Sequence, residues 1–339
     1  MNRRQPLSPS DVLTGGVSVV IACHSENRLD LLQRSVTSAL AQDVTPLEVV
    51  IAVDNNDPLY LKLRTLYRVH PRVKVVANTG VRGASSTRNA GVRAARSPLV
   101  AFLDDDVVAA PSWLRRLIAP LGEPSVAGTG GSASPRWQTG KPRWFPDEFL
   151  WVVGASFKGM PTSQAEVRNV WSENMAIRRA QFLACGGFDE GFGKRLDVSR
   201  PEDTEMCIRF ARRSGDHWLY VPDARVEHFV PTGRSSFRFF LARCFSEGRG
   251  KIEMRRLTHE RLSSERAYAL RTVPTALGRC LWQVVSGDFA AVLRFAAVLA
   301  GCFAALAGAV HAALHSPAAK AAPAAGDDVP VPEERSRAG

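Results

Sequence analysis

Short, almost wholly apolar runs alternate, along the first third of the chain, with segments whose apolar residues recur at helical spacing. Residues 17–22, 47–53, 73–77 and 99–103 form the runs, and segments 28–41, 58–69 and 84–95 between them read as helices. A strand without polar alternation is buried on both faces, and helices of roughly 10 to 14 residues between such strands supply the cover. The pattern predicts an α/β fold: a mostly parallel, nucleotide-binding sheet flanked by helices. Ligands of open α/β sheets bind beyond the carboxyl ends of the strands, so chemistry is expected at residues 23–27, 54–57, 78–83 and 104–106.

The pattern changes after the fourth run. Residues 128–161 are rich in Gly, Pro and Trp, a composition suited to loops that wrap a substrate. Segments 167–178 and 218–228 then read as strands flanking a helix at 202–213. Residues 295–310 carry no charge, and with 312–314 they approach the roughly 20 residues that span a bilayer, His311 being the one interruption. This segment is expected to insert into a membrane or lie tightly on it, with the basic stretch 234–279 holding the preceding domain at the cytoplasmic face.

These boundaries give a flexible leader (1–16), an α/β domain (17–232), a basic helical extension (233–287), a membrane-associated or transmembrane helix (288–315) and a disordered tail (316–339). The leader is polar and has no apolar run of the kind a secretory signal needs. The tail has no aromatic residue and little apolar surface to offset its ordering entropy.

Composition adds less. The 339-residue chain has a net charge of +11, which suits phosphate-bearing substrates, anionic lipid or nucleic acid without choosing among them. Its six cysteines are scattered, with no Cys-x-x-Cys pair, so a zinc site is not expected and a reduced cytosolic setting is.

Two acidic groups carry the candidate chemistry. Asp104, Asp105 and Asp106 follow the fourth apolar run directly, and three adjacent carboxylates need a positive counterpart. Hard oxygen ligands suit Mn²⁺ or Mg²⁺, with substrate phosphates and water completing the shell. A solvated acidic turn is the plain alternative for the triplet alone. Glu202 and Asp203 follow Pro201 at the start of a helical segment, where the helix dipole favours ionised carboxylates. Capping explains them without catalysis, but a carboxylate facing the same cleft could also accept a proton from an attacking hydroxyl.

Six ordered motifs then come into view: Val-Ser-Val-Val-Ile-Ala at 17–22, Val53-Asp54, Ser-Thr-Arg-Asn-Ala-Gly at 86–91, Phe-Leu-Asp-Asp-Asp at 102–106, Cys-Gly-Gly-Phe-Asp at 185–189 and Pro-Glu-Asp-Thr at 201–204. Over residues 17–231 the chain resembles the family 2 glycosyltransferases of the GT-A fold, inverting enzymes that use nucleotide-sugars. The resemblance implies that Asp54 binds the nucleotide base, that Arg88 helps hold base or diphosphate, and that Asp104 lies by the ribose, with Glu26 also on the donor side. It implies Asp106 as a metal ligand joined by His228, and Asp203 as the catalytic base. Trp171, Glu173 and Asn174 fall in the family's acceptor-side region, with Glu202 beside them.

Two departures stand out from the family pattern. The usual Pro-Thr-Tyr-Asn after the first strand is Ala22-Cys23-His24-Ser25, and the usual second Asp of the next motif is Asn55. The Gln-x-x-Arg-Trp motif of processive synthases is absent, so one sugar is expected per acceptor encounter. The expected partners are a nucleotide-sugar, a glycan or polyprenyl-linked acceptor and membrane lipid, and not nucleic acid.

Rival readings fit less well. A dehydrogenase needs Gly-x-Gly-x-x-Gly after the first strand, and residues 22–28 contain no glycine. A nucleotidyltransferase needs a Gly- and Lys-rich triphosphate loop where this chain has Glu26-Asn27-Arg28. A non-catalytic nucleotide-sugar sensor, or a nucleic-acid binder using 234–279, is the alternative from another class.

Overall fold

In a computed structural model, the four apolar runs are strands β1 (Val17–Cys23), β2 (Glu48–Asp54), β3 (Val73–Asn78) and β4 (Leu99–Asp104). They pair in parallel in the order β3-β2-β1-β4. The structure describes residues 16–191, 194–195, 198–199, 201–258 and 263–315. Almost all of the expected leader and the whole expected tail lie outside these residues.

Helices α1 (Leu29–Leu40), α2 (Asp57–Leu66) and α3 (Ala84–Ala94) occupy the three predicted helical segments. Side chains alternate across the sheet. Val19 and Ile21 of β1 join a core with Leu32, Val36, Leu59 and Leu63, whereas Val20 faces the opposite core with Val92. Both faces are therefore covered, which is why the strands read as continuous apolar runs.

Beyond β4 the sheet becomes mixed. A short β5 (Val107–Ala109) and helix α4 (Trp113–Ile118) precede the long strand β6 (Val126–Trp137). Then come β7 (Ala165–Val167), β8 (Asn174–Arg178) and α5 (Arg179–Ala184). The two-stranded ribbon of β9 (Lys194–Arg195) and β10 (Val198–Ser199) leads to α6 (Glu202–Ser214) and β11 (His217–Val230). The main sheet runs β3-β2-β1-β4-β8-β6-β11-β5, with β7 also paired to β11.

Two local expectations need correction. Residues 128–137 were expected in wrapping loops, yet they lie in β6, paired to both β8 and β11. Their glycines are there for close packing: a Cβ at Gly128 would strike the Trp218 ring, and one at Gly130 would strike Val170. Segment 167–178 is not one strand, because β7 ends at Val167 and β8 begins at Asn174. The chain between them leaves the sheet and carries Ser172 and Glu173 into the site described below.

The C-terminal region comprises α7 (Phe237–Thr258), α8 (Ser263–Ala267), a π-helical turn (Tyr268–Thr272), α9 (Val273–Val285) and α10 (Ala290–His315). It is no separate appendage. Phe240, Cys244, Ala276 and Val298 share a third core with Phe145, Phe149 and Val153. Edge-to-face rings of Phe145, Phe240 and Trp144 tie the helices to the 144–155 segment.

Candidate active site

The strand ends converge as the sheet topology requires. Asp104 closes β4, and its backbone carbonyl accepts a 2.9 Å hydrogen bond from Ser35 Oγ on α1. Arg28, just ahead of α1, donates to Asp105 Oδ1 at 2.9 Å and lies 3.1 Å from Asp106 Oδ2. The triplet is thus partly neutralised from within the protein. Burial and the neighbouring Asp106 charge nonetheless push the Asp105 carboxyl up to about 7.

Asp106 faces His228. Residues 107–109 and 226–228 pair antiparallel as β5 and β11, which sets His228 beside the acidic turn, its Nε2 3.4 Å from Asp106 Oδ1. The ring is fixed from behind: Nδ1 lies 2.7 Å from the Gly154 carbonyl oxygen and 3.4 Å from Glu173 Oε2. Gly154 has φ 73, and a Cβ there would come within 2.6 Å of the imidazole, so this close approach requires glycine. Burial alone would lower the His228 pKa, but the Glu173 and Asp106 carboxylates outweigh it and raise it to about 9. Burial likewise pushes Asp106 up, yet the His228 contact, with Arg28 and Arg234, holds it below the usual carboxylate range.

Arg88 is the second organising charge. From the buried face of α3 its Nη2 donates to Asp104 Oδ1 at 2.8 Å, while Nη1 lies 3.6 Å from Glu202 Oε1. Its guanidinium also sits over the Phe188 ring, 5.8 Å from the centroid. Burial opposes the charge, but Asp104, Asp203 and Glu202 hold Arg88 protonated. One cation on α3 therefore joins the end of β4 to the start of α6.

Asp203 stands in the first turn of α6. It accepts hydrogen bonds from the hydroxyl and backbone N–H of Ser172, whereas its Oδ1 is buried with no hydrogen-bond partner among the described residues. Burial raises its pKa, with Arg88 and Ser172 opposing. Glu202, pushed up to about 7 by burial and by Asp203, sits beside it. A buried carboxylate with one oxygen held and one unfilled is suited to accept a proton.

The other candidate residues divide. Asp54, at the end of β2, accepts from Asn55 Nδ2 at 3.0 Å, Asn78 Nδ2 at 3.1 Å and the Gly83 N–H at 3.0 Å. It closes the loop between β3 and α3. Glu26 is at the surface, 3.3 Å from Lys62 Nζ. Trp171 is half-buried. Asn174 accepts from Trp113 Nε1 at 2.7 Å and donates to the Ser132 and Ala224 carbonyl oxygens at 3.0 and 2.9 Å, so its whole carboxamide is spent holding strands together. Glu173 is buried behind His228, with Oε1 lacking a partner.

Sequence reasoning passed over Arg28, Ser172, Gly154 and Asn89. Asn89 Nδ2 donates to the Phe188 carbonyl oxygen at 2.8 Å, and its Oδ1 accepts from the Phe188 N–H at 2.9 Å. This clamp locks two of the recognised motifs, 86–91 and 185–189, to each other. The adjacency of Asn89 to Arg88 in one motif was the available signal. Nothing local marked Gly154 or Ser172, whose partners are distant in sequence.

The residues fit a divalent cation that also binds a diphosphate. Among the described residues no group of three His, Cys, Asp or Glu side chains forms a metal cage. Asp106 and His228 supply one oxygen and one imidazole nitrogen at adjoining positions. With Nδ1–H directed at Gly154, the neutral tautomer leaves the Nε2 lone pair on the Asp106 side. A two-ligand protein set leaves the remaining positions to phosphate oxygens and water, as Mn²⁺ and Mg²⁺ sites commonly do.

The model of glycosyl transferase family 2 matches residues 18–184. A glucosyl-dolichyl phosphate glucuronosyltransferase of Haloferax volcanii is 32% identical over 254 residues, which is 74% of this chain and 81% of that protein. A mannosyltransferase from Pyrobaculum calidifontis, solved with GDP-Man and Mn²⁺, superposes with a TM-score of 0.57 at 18% identity, covering 89% of this chain and 88% of that one. GalNAc-T7, solved with UDP, GalNAc and Mn²⁺, superposes with a TM-score of 0.51 at 19% identity over 75% of this chain and 53% of its own. With an α/β sheet whose strand ends gather the acidic triplet, Arg88 and Asp203, the chain belongs to glycosyl transferase family 2 and is a glycosyltransferase of the GT-A fold.

Proposed function

We propose that the chain transfers one sugar from a nucleotide diphosphate-sugar to an acceptor hydroxyl in a single displacement that inverts the anomeric configuration. The observation that carries this reading is the Asp203 carboxylate, with Oδ1 buried and unpartnered while Ser172 fixes the rest of the group.

In this reading Asp203 takes the proton of the acceptor hydroxyl, and that oxygen attacks the anomeric carbon from the face opposite the departing diphosphate. Burial raises the base's pKa, which brings its proton affinity closer to the working pH. Glu202 lies beside it on the acceptor side. Arg88 balances the charge of Asp104, and its Nη1, which makes no hydrogen bond and lies 3.6 Å from Glu202 Oε1, would be available to base or diphosphate. Asp106 and His228 would hold Mn²⁺ or Mg²⁺, which when bound supplies positive charge to the leaving diphosphate. Asp54 and Asp104 line the donor side for base and ribose, with Glu26 at its outer edge. Trp171 borders the acceptor, Glu173 backs His228, and Asn174 holds the surrounding strands together.

The acceptor is a hydroxyl of a polyprenyl-linked glycan at the cytoplasmic face of a membrane. Two observations support this: α10 is long and apolar enough to cross a membrane by length and composition, and the Haloferax relative is named for glucosyl-dolichyl phosphate. The basic residues of 234–279 favour the cytoplasmic side.

NMR of the product formed with polyprenyl phosphate-linked acceptors and a panel of nucleotide-sugars tests the mechanism. The expected linkage has the anomeric configuration opposite to that of the donor. A product retaining the donor's configuration would overturn the single displacement.

A further inference from the structure

Apart from Val298, helix α10 buries only Ala and Gly and leaves its other large residues exposed or half-buried. Ala297, Gly301, Gly308 and Ala312 are buried, whereas Leu299, Phe303, Leu306, Val310 and Leu314 are exposed, Phe303 by 73%. The outward stripe recurs every three or four residues and so forms one face. A soluble helix shows the reverse, with large apolar side chains inward. Helix α9 continues the surface with Trp282 at 69% and Val285 at 87% exposed, and Phe289 follows in the turn between the two helices.

The inward face is firmly occupied. A Cβ at Gly248 of α7 would collide with the Ala305 carbonyl of α10, and one at Gly308 with the Phe245 carbonyl. Gly301 packs on Phe149 and Phe240, and Arg256 donates to the Ala312 carbonyl oxygen at 3.1 Å. Low positions of α7 meet low positions of α10, and high meet high, so the two helices run side by side in the same direction. Helix α7, however, is charged along the same length, with Arg243, Glu247, Lys251, Arg255 and Arg256. If α10 crossed a bilayer in this packing, those charges would enter the hydrocarbon with it, which is strongly unfavourable.

We propose that α9 and α10 form a one-leaflet docking surface, with α10 lying along an anionic lipid bilayer and both of its ends on the catalytic side. This rests on the membrane reading above and replaces a spanning helix with an interfacial one. Charge complementarity favours lipid as the occupant. Exposed Arg266 and Arg271 border the helices, while Glu265 is neutralised by Arg168 and Lys251, and Asp288 by Arg294. A Trp beside an apolar stripe is also an interfacial arrangement. Glu265 also reaches toward the site: Arg168, three residues before Trp171, donates to it from both terminal guanidinium nitrogens, at 2.9 and 2.7 Å. The acceptor side is thereby tied to α8, which leads directly into the docking helices.

The full chain in sealed vesicles, catalytic domain outward, provides the test. Ser286→Cys in the α9–α10 turn and His315→Cys at the end of α10 are each labelled with a membrane-impermeant maleimide, against the unsubstituted chain. Both are expected to label equally before and after detergent permeabilisation. Labelling of either one only after permeabilisation would mean that α10 crosses, and would overturn the proposal. In parallel, Phe303→Glu with Leu306→Glu is expected to weaken sedimentation with phosphatidylglycerol-containing vesicles at least 10-fold, with unchanged thermal unfolding and nucleotide binding. Unchanged sedimentation, or loss only of self-association between copies, would also overturn it. Neither readout uses sugar transfer, so failure here is separable from failure of the transferase mechanism.

Discussion

Nε2 of His228 lies 3.4 Å from Oδ1 of Asp106, and the Gly154 carbonyl oxygen holds the opposite ring nitrogen at 2.7 Å. The pair comes from two elements distant in sequence, the turn after β4 and the end of β11, brought together by the β5–β11 pairing. A ring fixed from behind keeps its second nitrogen aimed without reorganisation when a cation and diphosphate arrive.

Gly154→Ala should disable this pair while leaving the fold. The added methyl would sit within 2.6 Å of the imidazole at a residue already left-handed, so the ring has to move. Mn²⁺ affinity, read by titration in the presence of a nucleoside diphosphate, is expected to fall about 10- to 100-fold, the range seen when a ligand's supporting contacts are lost. Glu173→Gln, which removes the charge behind His228, should shift affinity in the same direction by less.

Arg88→Met should destabilise the protein more than a surface charge change would. It leaves Asp104 without its 2.8 Å partner and Glu202 and Asp203 without a nearby cation. Removing one partner of a buried ion pair costs about 3–5 kcal/mol. Chemical denaturation measures this, and a loss under about 1 kcal/mol would show that the cluster is solvated.

The free protein should lose stability as pH rises through neutrality. Asp105 and Glu202 are raised to about 7, from 3.8 and 4.5, and His228 from 6.5 to about 9. For each, the folded state binds protons more tightly than the unfolded state. The carboxyl contributions are complete below about pH 4 and lost by about pH 7; that of His228 is complete below about 6.5 and lost through about 9. Asp106, whose pKa is lowered, runs the other way, its contribution disappearing only on acidification. Melting temperatures measured from pH 5 to 9 should therefore decline toward the alkaline end. A rise would contradict the buried, proton-retaining cluster.

The parallel half of the sheet was legible because its strands are covered on both faces, which writes continuous apolar runs into the sequence. Asp104, Asp106 and Asp203 were legible because they stand at an element's edge inside short motifs. The second half was harder. In β6, glycines that permit Trp218 and Val170 to pack against the strand read as loop composition. Asn174 lies in a stretch where polar groups suggest ligand contact, but three hydrogen bonds to the protein explain its chemistry. Ser172 and Gly154 act only through partners that folding brings near, and no spacing rule marks them.

Asp203→Asn bears on the central claim most directly. Asn keeps the shape of the carboxylate but cannot take the acceptor's proton. Nucleoside diphosphate release should be followed with a panel of nucleotide-sugars, Mn²⁺ or Mg²⁺ and a polyprenyl phosphate-linked acceptor, for wild type, Asp203→Asn and Asp106→Ala. The account predicts release with one donor, abolished by chelation, reduced about 10²- to 10⁴-fold in Asp203→Asn with nucleotide binding intact, and lost with metal-dependent binding in Asp106→Ala. Wild-type turnover that persists undiminished in Asp203→Asn would contradict it.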